Sequence, residues 1–382
     1  MDDEEDVAMG GGAGRLEPDK KWRENIVGQE RVHPAPPLRQ EWEELARQPA
    51  HFVKRLTGAD LDTARRWRVA GTDLGIPYLL ENGSVGFLFG DTFASAWPEE
   101  GNDWRSPVML RSNAQPSAPD GIVFDSAARV LGDGRAPQLM DYMHFPRPFA
   151  NLDAEITRIP NDAVSFPETG RQVLSYMAVY DWSAPWKTGR AGLAYSDNGN
   201  DFHDVPEAAW ANDAANLDPF QMWTMQRDGR FVYVYSVRAG RQKGPMMLQR
   251  VPWQRILDGE AYEPFGWSEK TRSWRWGQPC TSVLPEEPFG EPSVRLLQDG
   301  AWAMTYSLPG RIVSRRAERP EGPWSEPKVQ VTGDQEPWLY GGFIHPYSTG
   351  SVGDLHLMVS TWLQDPPGTS HTYHVSHYAG TL

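Results

Sequence analysis

The chain has 382 residues, 39% of them hydrophobic and 23% charged, enough for one large or two ordinary domains with a sizeable core. A formal charge of -14 argues against a nucleic-acid partner, which wants a basic stripe, and against an anionic membrane surface, while leaving a neutral substrate such as a polysaccharide open. The single Cys280 excludes an internal disulfide framework and a cysteine-based metal site, and no stretch approaches the roughly 18 apolar residues of a membrane helix.

Residues 1–37 are acidic, then rich in Gly and Pro, and read as a disordered or adapter-like segment. They carry no basic and then apolar leader, so no classical signal peptide is expected. Residues 38–68 read as a short helical extension. Trp42, Leu45 and Ala46 have helical spacing, Phe52, Val53 and Leu56 follow beyond Pro49, and "GADLDTARRW" adds a further turn.

From Trp67 on, helix signals fade, and 36 glycines and 33 prolines favour turns. Five segments share one plan: a first strand with polar residues, a Gly or Asn turn, then an aliphatic-aromatic strand. The second strands begin near Val85, Val173, Phe231, Ala301 and Leu355. Five such units over residues 69–382 predict an all-β fold, a five-bladed β-propeller, with an unsymmetrical array of β-sandwiches as the alternative. The 17 tryptophans serve either blade packing or sugar stacking.

Polar residues of the first strands would point at the propeller axis: Asp73; Asp153 and Glu155; Asp218 and Gln221; Glu291 and Arg295; Tyr340 and His345. A wet channel without function is the alternative for each. The first hairpin is more specific. Asn82-Gly83 suits a two-residue type I′ turn, which sets Asp73 against Thr92 and Leu74 against Asp91. One extra loop residue, or one bulge, would place Asp73 directly across from Asp91. Cross-strand Cβ atoms lie about 4.5–5.5 Å apart. Two carboxylates that close raise the pKa of one, the arrangement glycoside cleavage uses, and the shorter spacing leans towards retention of configuration. A Ca²⁺ site and a turn-capping role for Asp91 are the alternatives.

Glu291 and Arg295 share one strand face and form either a substrate contact or a structural ion pair. Trp104 and Arg105 read as a loop wall, one a stacking platform and the other a clamp. Gln221 with Trp223, and Trp338 with Tyr340 and His345, add aromatic and polar groups at strand starts. No G-x-S-x-G elbow, H-E-x-x-H or P-loop is present.

"GTDLGIPY", "FLFGDTF", "DWRSPVMLRS", "DPFQMWT", "FGEPSVR" and "YGGFIHPYS", in that order, resemble the actinobacterial endo-D-arabinanases of glycoside hydrolase family 183, over about Ala70 to Leu382. The resemblance implies a five-bladed propeller and endo-hydrolysis of α-D-arabinofuranosyl linkages in arabinogalactan and lipoarabinomannan. It implies Asp73 and Asp91 as the catalytic centre and Glu291 as the next candidate. Trp104, Arg105, Gln221, Trp223, Arg295, Tyr340 and His345 would contact furanose faces and hydroxyls. No cofactor is expected beyond the Ca²⁺ alternative. Without a leader, such a hydrolase fits a phage virion, or a bacterial protein exported by another route, with the N-terminal segment meeting a virion or envelope partner. The rival is a non-catalytic carbohydrate-binding propeller, such as a phage receptor-binding module, which needs no carboxylate pair.

Overall fold

The computed structural model describes residues 48–96, 103–142, 155–363 and 372–382. The adapter-like segment, the helical spacing at Trp42 to Ala46, and Asp153 lie outside the described residues. The first described element is a strand, β1 (His51–Arg55). This corrects the helix expected around Phe52 and Val53. The edge of the C-terminal strand offers unpaired backbone groups, and pairing with it outweighs local helical spacing. The turn expected in "GADLDTARRW" is present as α1 (Asp62–Trp67), closed by Arg68 in the left-handed conformation.

The remaining strands form antiparallel sheets in chain order. The first holds β2 (Leu74–Leu79), β3 (Val85–Phe89), β4 (Val108–Ser112) and β5 (Ser126–Ala127). The second holds β6 (Thr157–Phe166), β7 (Arg171–Asp181), β8 (Lys187–Ser196) and β9 (His203–Ala211). The third holds β10 (Met222–Asp228), β11 (Phe231–Val237), β12 (Met247–Pro252), β13 (Glu263–Ser268) and β14 (Ser273–Trp276). The fourth holds β15 (Gly290–Leu296), β16 (Trp302–Leu308), β17 (Arg311–Ala317) and β18 (Lys328–Thr332). The fifth holds β19 (Leu339–Ile344), β20 (Leu355–Leu363) and β21 (Thr372–Gly380), with β1 as its outer strand.

The described residues thus form an all-β fold of five sheets, each of four or five strands. The expected second strands match β3, β7, β11, β16 and β20. The first strands touch one another in chain order: β2 meets β6, β6 meets β10, β10 meets β15, β15 meets β19, and β19 returns to β2. Because β1 joins the last sheet, the chain's N-terminal part is tied to its C-terminal part by backbone hydrogen bonds.

Apolar side chains of neighbouring sheets fill the gaps between them. Between the second and third sheets, Phe166, Val173 and Leu193 pack with Val232, Val251 and Trp223. Trp223 meets Trp210 edge-on at 4.4 Å and Tyr262 at 5.8 Å. Each such ring contributes roughly 1.5–3 kcal/mol on burial.

Four first strands are also tied by charge. The Arg295 guanidinium on β15 donates to both oxygens of Asp162 on β6 at 2.7 and 2.8 Å, and to the Pro77 carbonyl on β2 at 2.9 Å. Asp162 Oδ2 also accepts from Thr224 Oγ1 and the Met225 amide of β10, both at 2.8 Å. Arg295 and Asp162 are both buried.

Candidate active site

Four of the five first strands carry a bulge near one end: between Leu74 and Ile76, Pro160 and Asp162, Gly290 and Ser293, and Gly341 and Phe343. A bulge re-aims the side chains beside it. Those re-aimed residues, Asp73, Asn161, Glu291 and Tyr340 among them, line one cavity of about 520 Å³. Twelve of its nineteen lining residues are apolar, including Trp182, Trp186, Trp223, Trp338 and Trp362. Volume and lining fall within the range of small-molecule sites.

The first hairpin differs from the expected geometry twice. Leu80 donates to the Ser84 carbonyl at 2.8 Å, so the loop is the three residues Glu81, Asn82 and Gly83, with Gly83 at φ 83°. The bulge after Leu74 then shifts the pairing again, and Asp73 lies across from Gly90, whose amide donates to the Asp73 carbonyl at 3.4 Å. Asp73 and Asp91 still line the same cavity. A methyl group on Gly90 would overlap Asp73 Oδ1. Gly90→Ala is therefore expected to push the carboxyl aside, lowering turnover by about 10²-fold while the melting temperature moves little. Kinetics beside a thermal melt check this.

The two carboxyls have different surroundings. Tyr340 donates to Asp73 Oδ2 at 2.8 Å, and the nearby Tyr373 hydroxyl also favours the charged form of that carboxyl. Burial and the nearby charge of Asp91 nevertheless raise the Asp73 pKa to about 7. Asp91 Oδ1 accepts from Trp104 Nε1 at 2.7 Å and from Thr157 Oγ1 at 2.8 Å. Burial raises its pKa to about 6. Neither of these donors touches Oδ2.

Glu291 also lines the cavity, on a strained residue at φ 35°. Arg241 donates twice to its Oε1, at 2.6 and 2.8 Å, and Ser307 donates to Oε2 at 2.6 Å. Both oxygens are engaged, which suits a fixed charge better than a proton donor.

The other expected contacts divide. Tyr340 and Trp223 line the cavity. Trp104 does not; it stacks on Phe93 at 6.2 Å and reaches the site through its bond to Asp91, so it orients a carboxyl instead of offering a platform. Arg105 is no clamp. It is buried and donates to the carbonyls of Trp67, Arg68 and Ala136. Gln221 is fully buried between Thr188, Trp210 and Asp218. Arg295 pairs with Asp162, not with Glu291. His345 is sealed beside Phe87 and Tyr347, and burial holds its pKa well below the usual range, so it stays neutral. Arg295, Gln221 and His345 are each closed in by a partner distant in sequence, Asp162, Thr188 and Phe87 respectively. Glu155 pairs with Arg158, and Asp218 accepts from the Phe220 amide; neither lines the cavity.

Arg241, Thr157, Tyr373 and the tryptophans 182, 186 and 362 are cavity or site residues that the strand pattern did not single out. Arg241 lies in a short 3-10 turn, where no periodicity marks it. Among the described residues, no group of three or more His, Cys, Asp or Glu side chains is placed to hold a metal ion.

Residues 58–379 match the DUF4185 family, described as a domain of unknown function. The chain belongs to that family. Two fungal relatives are similar over most of their length. Notoamide biosynthesis cluster protein J' of Aspergillus versicolor is 51% identical over 347 residues, covering 86% of this chain and 92% of the relative. Notoamide biosynthesis cluster protein J of Aspergillus sp. (strain MF297-2) is 49% identical over 349 residues, covering 87% and 90%. The fold is shared with a crystal structure from Bacteroides ovatus ATCC 8483, provisionally described as a hydrolase, at a TM-score of 0.55 and 15% identity, covering 90% of this chain and 95% of that one.

Proposed function

We propose that this DUF4185 protein is a glycoside hydrolase on a five-bladed propeller, its five sheets being the blades. The closed circuit of contacts among β2, β6, β10, β15 and β19 supports the blade arrangement. The observation that carries the activity is the carboxyl pair: Asp73 and Asp91 share one cavity with pKa values raised to about 7 and about 6. Asp73, the group that holds its proton to higher pH, donates it to the glycosidic oxygen as the carbon–oxygen bond breaks. Asp91, with Oδ2 clear of Trp104 and Thr157, attacks the anomeric carbon or takes a proton from the water that does. Glu291, held by Arg241 and Ser307, supplies a fixed negative charge near the developing cation.

The resemblance to the endo-D-arabinanases makes α-D-arabinofuranosides the first substrates to test. The test is incubation with arabinogalactan, with arabinofuranosyl oligosaccharides and with aryl arabinofuranosides, reading released products by chromatography. Release that vanishes in Asp73→Asn and Asp91→Asn supports the hydrolase. Binding with no release by the native chain supports the carbohydrate-binding rival. The anomer first released, read by NMR, decides whether Asp91 is nucleophile or base.

A second reading has its own support. The fungal relatives are named for a notoamide biosynthesis cluster, and the cavity is rich in tryptophan. The same acid and base pair would then act on a small natural product. Products formed from cluster metabolites, and none from saccharides, would favour it.

A further inference from the structure

Trp338 is 72% exposed and its backbone sits at φ 58°. A bulky side chain in the left-handed region is strained, and so exposed a ring recovers little through burial. Strain of this kind persists where the surroundings over-determine it. Here Thr361 Oγ1 donates to the Pro337 carbonyl and pins the residue before Trp338. Leu339 pairs with Thr361, so Trp338 lies one residue before that pair and Trp362 one residue after it, and both line the cavity. Trp362 in turn pairs with Tyr373, with ring centres 5.1 Å apart, and Tyr373 lines the cavity together with Asp73. Trp338, Trp362, Tyr373 and Asp73 thus line one cavity, with Trp338 its most exposed aromatic member.

The polar groups of the cavity are differently placed. Glu291 and Arg241 bind each other, and Asn161 donates to the Gln221 carbonyl at 3.1 Å. A saccharide ring can also stack on an indole, but its hydroxyls need hydrogen-bonding groups beside it, whereas twelve of the nineteen residues lining this cavity are apolar.

We propose that Trp338 and Trp362 form a ring-stacking subsite whose occupant is a flat aromatic group on a small substrate, in place of a further sugar of a polymer. The inference rests on the hydrolase reading for the bond that is cut, but not for the stacking. The test uses the full chain carrying Asp91→Asn, which binds without turnover, titrated separately with indole and with an arabinofuranosyl tetrasaccharide and followed by saturation-transfer NMR. Indole is expected to bind, Trp338→Ala to weaken it by about 3- to 10-fold, and Trp338→Phe to restore most of the loss. The melting temperature of Trp338→Ala should hold or rise, which separates lost stacking from lost folding. Trp362→Ala is expected to weaken indole in the same way. Failure of the parent to bind indole would overturn the proposal, as would equal binding by folded Trp338→Ala. Trp338-dependent binding of the tetrasaccharide without indole would also overturn it. Because the readout is binding, a negative hydrolysis assay leaves this result standing, and a negative titration leaves the carboxyl chemistry standing.

Discussion

Asp91→Asn is expected to lower kcat by about 10³-fold or more, and Asp73→Asn by about 10²- to 10⁴-fold, the range for removing a positioned acid or base. The carboxyls titrate as a coupled pair, so the pH profile of kcat/KM belongs to the pair. The base must be ionised, which requires a pH above about 6, and the acid must keep its proton, which requires a pH below about 7. A narrow bell centred between those values follows, and each Asn variant should lose one limb of it along with most of its rate. Stability moves the other way. A carboxyl whose folded pKa is raised binds its proton more tightly in the folded chain than in the unfolded one. Stability is therefore lost as pH rises from about 4 through about 7. Asp73→Asn removes that charge and should raise stability at pH 8 by up to about 4 kcal/mol, with little change at pH 4. Thermal melts at the two pH values check the sign. A variant that is inactive but no more stable at pH 8 would mean that Asp73 is not held against ionisation.

The second large effect is on folding. Arg295→Met leaves Asp162 buried with its charge unmatched, and Asp162→Leu leaves Arg295 in the same state. Each is expected to cost about 3–5 kcal/mol. The double variant should recover much of that loss, since an apolar pair of similar volume avoids the desolvation of two ions. Denaturant unfolding of the three variants measures the coupling. If Arg295 instead bound substrate, Arg295→Met would raise KM and leave the midpoint unchanged.

Much of the architecture was legible because strand signals are local. Alternation and turn residues placed the starts of β3, β11 and β20 at Val85, Phe231 and Leu355, as read from the chain. They failed at His51 to Arg55, where a strand forms only because the edge of β21 receives it. The site was legible in part. Asp73, Asp91, Glu291, Tyr340 and Trp223 line the cavity, and the motifs that named them lie at the starts of first strands or, for Asp91, just beyond β3. The same strands named Arg295, Gln221 and His345, which are sealed inside.

A strand pattern marks a polar residue as inward-pointing, and that is a local property of a two-residue repeat. Whether the inward space is a cavity or a filled core depends on groups far along the chain: Asp162 meets Arg295, Thr188 meets Gln221, and Phe87 packs on His345. Bulges at Leu74, Gly290 and Gly341 turn the neighbouring side chains towards one opening, and the single-chain pattern does not carry that turn. All-β character and the repeat of five were thus written in short-range order. The meeting of two carboxyls, their raised pKa values and the aromatic rim came from contacts between distant segments, because burial and neighbouring charge exist only once those segments pack.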